Sequence, residues 1–194
     1  MMDYNSQIRH APVLSLHAGA PIAVLGDPII IPTLLQIAGF FITSPLLDKK
    51  SRHILQSSSV REIGKQGFII NSIDDISPET DLLRMKAVLE LDFDLFSCTV
   101  QTENGTKLGT VVNFICDGFL RINQIVVKPP ILRSLSGQKL FIPRTAITRI
   151  ENGRIIVKDL TLKTAPTKIP AKLNPDFINP FAKSPKPLLS PNQN

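Results

Sequence analysis

Internal repetition constrains this chain more than any single motif. Gly19-Ala20-Pro21-Ile22-Ala23 recurs as Gly105-Thr106-Lys107-Leu108-Gly109. Val60-Arg61-Glu62-Ile63 recurs as Ile147-Thr148-Arg149-Ile150, and Gly67-Phe68-Ile69-Ile70 as Gly153-Arg154-Ile155-Ile156. The three blocks share nearly one spacing, the mark of a structural unit used twice. Gly39-Phe40 and Gly118-Phe119 keep the same order at a shorter spacing, which requires loops of different length around them.

Both halves read as short strands. Asn104-Gly105 is a tight-turn signal between Cys98–Glu103 and Lys107–Cys116. Val112, Phe114 and Cys116 are two apart and share one strand face. Leu120 and Ile122 alternate with Arg121 and Asn123, while Ile125 and Val127 shift the parity by one, which predicts a bulge. Lys139–Pro143 and Arg154–Lys158 are further strands. In the first half the strand candidates are Val13–Leu16, Ile22–Leu25, Ile29–Ile31, Gly39–Thr43, His53–Gln56 and Phe68–Ser72. The stretch Ile22–Ile42 is apolar enough to suggest a membrane span, but Asp27-Pro28 and Pro32 interrupt it, and short buried strands fit better.

One helix is expected between the halves, with Ser77 as N-cap, Pro78 in the first helical position and an apolar face of Leu82, Met85 and Leu89. The alternation Leu89, Leu91, Phe93, Leu95 then predicts an extended crossover. The resulting organisation is a first unit over 11–76, a connecting helix and crossover over 77–96, a second unit over 97–163, and a Pro- and Lys-rich flexible tail over 164–194, which holds seven of the sixteen prolines.

The net charge of +6 is uneven. Residues 1–76 balance, 77–96 are acidic, and the second unit and the tail are basic. A basic half is compatible with an acidic partner, whether protein, RNA or anionic lipid. Arg121, Lys128, Arg133, Lys139, Arg144, Arg149, Arg154 and Lys158 form the candidate patch, against the competing reading of an ordinary solvated exterior. The apolar and basic loop with Ile131, Leu132, Arg133 and Leu135, together with Arg144, Arg149 and Arg154, is the expected partner-binding set.

No catalytic, cofactor or metal constellation emerges. His10, His17 and His53 are scattered. Ser57-Ser58-Ser59 lacks a nucleophile elbow, and Asp74-Asp75 lacks a calcium-loop spacing. Cys98 and Cys116 read as reduced, buried thiols of a cytoplasmic protein.

The second half, with Gly105-x-x-Leu108-Gly109-x-Val111, Gly118-Phe119, Leu140-x-Ile142-Pro143 and Ile147-x-x-Ile150-x-x-Gly153-x-Ile155-Ile156-Val157, resembles a PRC-barrel domain. The first half resembles it through Ile22-Ala23, Gly39-Phe40 and Val60-Arg61-Glu62-Ile63 followed by Gly67-x-Ile69-Ile70. The resemblance implies a mainly β chain: two tandem small PRC-like β-barrels joined by one helix. It also implies a protein-binding role without catalytic residues. The expectation is therefore a non-enzymatic adaptor with a protein partner and no integral membrane segment. The alternative is a ribosome- or RNA-associated assembly factor using the basic second half and tail.

Overall fold

Val13 runs parallel to Phe68 in the first half of the chain, as Val100 does to Ile155 in the second, and the rest of each sheet is built around that pair. The computed structural model describes residues 1–130, 139–151 and 153–159, all within one compact unit, Met1–Leu160. The expected tail and most of the loop after Pro130 lie outside the described residues.

The first sheet contains β2 (Pro12–Ser15), β3 (Ala20–Ile31), β4 (Gln36–Thr43), β5 (His53–Gln56), β6 (Glu62–Gly64), β7 (Gly67–Ile70) and β8 (Ile76–Pro78). The second contains β9 (Thr99–Thr102), β10 (Lys107–Cys116), β11 (Ile122–Lys128), β12 (Leu140–Pro143), β13 (Ile147–Glu151) and β14 (Arg154–Val157), joined by β1 (Met2–Asp3) from the start of the chain. Spatial order is β6-β7-β2-β3-β4-β5-β8 in the first and β13-β14-β9-β10-β11-β12 in the second, so six strands match one for one. Among the described residues, no strand pairing joins the two ends of either path.

The match extends to irregularities. β3 slips register against β4 between Leu25 and Pro28 and again between Ile29 and Ile30. β10 slips against β11 between Val111 and Asn113 and between Ile115 and Cys116. Asp27 thus corresponds to Asn113, Ile29 to Ile115 and Ile30 to Cys116. These bulges bend the two longest hairpin strands in the same way. The second bulge absorbs the parity shift expected between Ile122 and Ile125, whereas the first puts Val111 and Phe114, rather than Val112, into the core.

Several expectations are corrected. Ile22–Leu25 and Ile29–Ile31 are one strand, because Pro28 sits at a bulge, where a missing N–H is tolerated. Ser77-Pro78 continues β8 against β5, and the helix α1 (Leu83–Leu89) starts after a separate turn at Glu79–Asp81. Pairing of Ser77 with Ile54 outweighs its capping propensity. Residues 90–92 form a turn and Leu95–Ser97 a single 3-10 turn, capped by Asp94, in place of the extended crossover. Gly39-Phe40 lies within β4, whereas Gly118-Phe119 lies in the turn before β11, so these dipeptides are not equivalent. In the third repeat block Arg154 and Ile155, not Gly153 and Arg154, correspond to Gly67 and Phe68. Ile147–Glu151 is a strand of its own.

Gly109, the counterpart of Ala23 in the other half, has no room for a side chain. Its φ is +145°, and a Cβ there would collide with the carbonyl oxygen of Lys128 on β11.

Buried apolar side chains from both sheets form one connected core, with Phe40, Phe68 and Phe114 among its largest fully buried members. The sheets meet at their central hairpins. Ile122 N donates to Leu35 O at 2.8 Å, Ile37 N donates to Leu120 O at 3.0 Å, and Gln36 bridges Arg121. Two exchanges tie the halves further. The N-terminal segment Met2–Ile8 crosses onto the second sheet, where Tyr4 stacks on Phe114 at 4.7 Å. α1 packs against the first sheet through Met85, Ile29 and Ile54. No helix of the described residues is long and apolar enough to cross a membrane, and the Ile22–Ile42 stretch is occupied by β3 and β4.

Candidate partner-binding surfaces

Hydrogen-bonded neighbours across a sheet point to the same face, so register decides which cations of the second half converge. Lys128 pairs with Thr110, Thr110 with Thr99, and Thr99 with Arg154. Val100 and Val111, the next residues along β9 and β10, are buried, so this row faces outward. At about 4.8 Å per strand, Arg154 and Lys128 stand about 14 Å apart. Lys139, also exposed, directly precedes Leu140, the partner of Val127, and extends the row by one strand.

The other expected cations lie elsewhere. Arg149 is exposed on β13 and its Nε is 3.6 Å from Glu151. Arg144 is half-buried in the turn between β12 and β13, at the opposite end of the sheet, near Lys158, whose N–H donates to Ala146 O. Arg121 stands beside the junction of the sheets, with its guanidinium 5.8 Å from the exposed Phe119 ring. The set thus divides between two ends of the sheet. Ile131, Leu132, Arg133 and Leu135 lie outside the described residues.

A cleft of about 310 Å³ separates β3 from the end of α1 and the segment after it. Ile29, Phe41, Val88 and Phe93 supply apolar wall, while Asp27, Asp92 and Asp94 supply carboxylates. Asp94 Oδ1 accepts from Phe96 N at 2.9 Å, which fixes it. Arg52 also lines the cleft. Its Nε is 2.8 Å from Glu79, and its guanidinium lies 4.1 Å from the centre of the Phe41 ring. The field of the carboxylates reaches Tyr4: burial pushes its hydroxyl above the usual range, Asp27 adds to the rise, Arg9 opposes it, and Asp94 adds a further part. Sequence reasoning missed this cleft because Asp27 and Asp92 are far apart in the chain. The only hint was the acidic balance of residues 77–96.

Several of the residues considered for chemistry are engaged in local structure. Burial, with Asp94 adding to it, pushes the Cys98 thiol up to about 11. Burial likewise pushes Cys116 up to about 12. Ser57 Oγ donates to Ile37 O at 2.7 Å. Asp75 Oδ2 accepts from Asn71 N at 2.7 Å and from Ser72 N at 3.3 Å in a local turn. His10 and His17 are exposed and His53 is buried on β5. Among the described residues no three His, Cys, Asp or Glu side chains gather as a metal site.

No curated protein matches the chain. The family model of the PRC-barrel domain matches residues 89–163, from the end of α1 through β14. The matched residues hold β9 to β14 and the outward basic row, so this part of the chain is similar to a PRC-barrel domain.

Proposed function

We propose that this chain is a non-enzymatic cytoplasmic adaptor, built from two PRC-type barrels, that holds an acidic protein partner against the second one. The observation that carries this reading is the outward row Arg154–Thr99–Thr110–Lys128, continued by Lys139. Cations aligned on one face at strand spacing attract a complementary acidic surface and set its orientation. A twofold use of the barrel is supported by the shared strand order, the shared parallel pair and the matching bulges.

The test is affinity capture with tagged full-length protein, followed by identification of what is retained. Capture of a stable, nuclease-resistant protein partner, lost in an Arg154→Glu, Lys128→Glu variant, supports the adaptor. Failure to capture any protein, with and without crosslinking, removes it. The same cations suit phosphates, which favours an RNA- or ribosome-bound factor as second reading. Material released by nuclease, and binding that falls steeply with salt, would support that reading instead.

A further inference from the structure

The two halves differ where their correspondence predicts an equivalent contact. On the second sheet, β1 pairs with β10, Met2 opposite Cys116 and Asp3 opposite Ile115. The contact is locked by Asn113, whose Nδ2 donates to Asp3 Oδ2 at 2.6 Å and whose Oδ1 accepts from Asn5 N at 3.2 Å. On the first sheet the corresponding residues of β3 are Asp27, Ile29 and Ile30. β2 covers that side of β3 from Ala20 to Val24, and Ala11 O accepts from Leu25 N at 2.9 Å. Beyond Leu25, no strand pairs with that side among the described residues; Ile29 and Ile30 are themselves buried, at 6% and 3% exposure, and the cleft opens beside them.

We propose that this open edge of β3 receives a short extended segment of a partner protein carrying lysine or arginine. The segment would add a strand where Met2–Asp3 does on the other half. Strand addition satisfies backbone donors and acceptors left open at a sheet edge, and flanking pockets then select side chains. Length is set by the cleft: its volume of about 310 Å³ suits two or three residues, as in the internal two-residue pairing. Charge is set by the rim. Asp27, Asp92 and Asp94 face the cleft, and the cation lining it, Arg52, is already held by Glu79. A lysine or arginine stem would lie along Ile29 and Phe93 with its head at the carboxylates. Asp27 has also replaced the buried Asn113 of the other half, so the locking amide has become a charge.

This surface is distinct from the basic row, and each is tested separately. The experiment titrates acetyl-Lys-Val-Arg-amide into isotope-labelled full-length protein and follows amide resonances. The expected result is saturable shifts at Ile29, Ile30, Asp92 and Phe93. They weaken with salt and are about tenfold weaker in an Asp27→Asn, Asp92→Asn variant, as loss of rim charges implies. Both aspartates are exposed, and circular dichroism confirms that the variant folds. Three outcomes overturn the proposal. One is no saturable shift at those amides up to about 10 mM, beyond which specific binding is negligible. Another is equal binding of acetyl-Glu-Val-Glu-amide. The third is shifts confined to Ile115 and Cys116, meaning displacement of the N-terminal strand.

Discussion

The amide of Ile122 donates to the carbonyl of Leu35, and the amide of Ile37 donates to that of Leu120. Leu35 and Leu120 are equivalent residues in the two halves. Both adopt the left-handed backbone region, with φ of 46° and 60°, and both are buried, at 4% and 3% exposure. A bulky residue there is uncommon and persists when its surroundings hold it. Here reciprocal hydrogen bonds and a shared core do so.

The junction predicts cooperative unfolding. Because one core runs through both sheets, residues 1–159 should melt as a single calorimetric transition, with calorimetric and van't Hoff enthalpies equal. Leu35→Ala and Leu120→Ala should each cost about 2–5 kcal/mol. Their double variant should depart from additivity, since both side chains sit at one contact. Denaturant titration of the four proteins measures this coupling.

Asn113 is the latch of the N-terminal segment. The residue is 8% exposed, and its side-chain amide holds both Asp3 and Asn5. Asn113→Ala should destabilise the protein by about 1–3 kcal/mol through unsatisfied partners. Hydrogen exchange should rise in Met2–Ile8 more than in β11, as measured by mass spectrometry.

The thiols predict a reactivity and an alkaline limit. Cys98 and Cys116 should resist alkylation at pH 8 in native protein and react once it is unfolded. Their folded pKa values, about 11 and about 12, lie above the ordinary 9.0. The unfolded chain therefore loses these protons first as pH rises. The stability linked to them is complete below pH 9 and falls between pH 9 and 12. Cys98→Ala, Cys116→Ala protein should show a shallower alkaline decline in denaturation midpoint.

Gly109 and Gly105 separate close approach from backbone strain. Gly109→Ala should cost well over about 1 kcal/mol, because strain adds to a collision with the Lys128 carbonyl. Gly105→Ala meets open space at φ +81° and should cost only about 1–2 kcal/mol of left-handed strain. Chemical denaturation of both variants compares them.

Much of the fold was legible. Lys107–Cys116 and His53–Gln56 coincide with β10 and β5, since alternation and turn residues act locally. The similarity of residues 89–163 to the PRC-barrel model was legible through glycine and aliphatic spacing. Ser77-Pro78 misled, because helix-capping propensity is weaker than pairing with an available strand edge. Of the expected cations, Arg154 joins an aligned row with Lys128, while Arg144 sits at the other end of the sheet. Spacing along the chain carries no cross-strand register.

By itself, the sequence determined that a strand-rich unit is used twice, that one short helix lies between the copies, and that positive charge gathers in the second. Those properties follow from side-chain pattern over a few residues. Tertiary structure alone decided that Leu35 meets Ile122, that Met2–Asp3 crosses to β10, and that the corresponding edge of β3 stays open beside three carboxylates. Such contacts join residues distant along the chain. Their partners are selected by which edges and apolar faces remain unsatisfied once the local elements have formed.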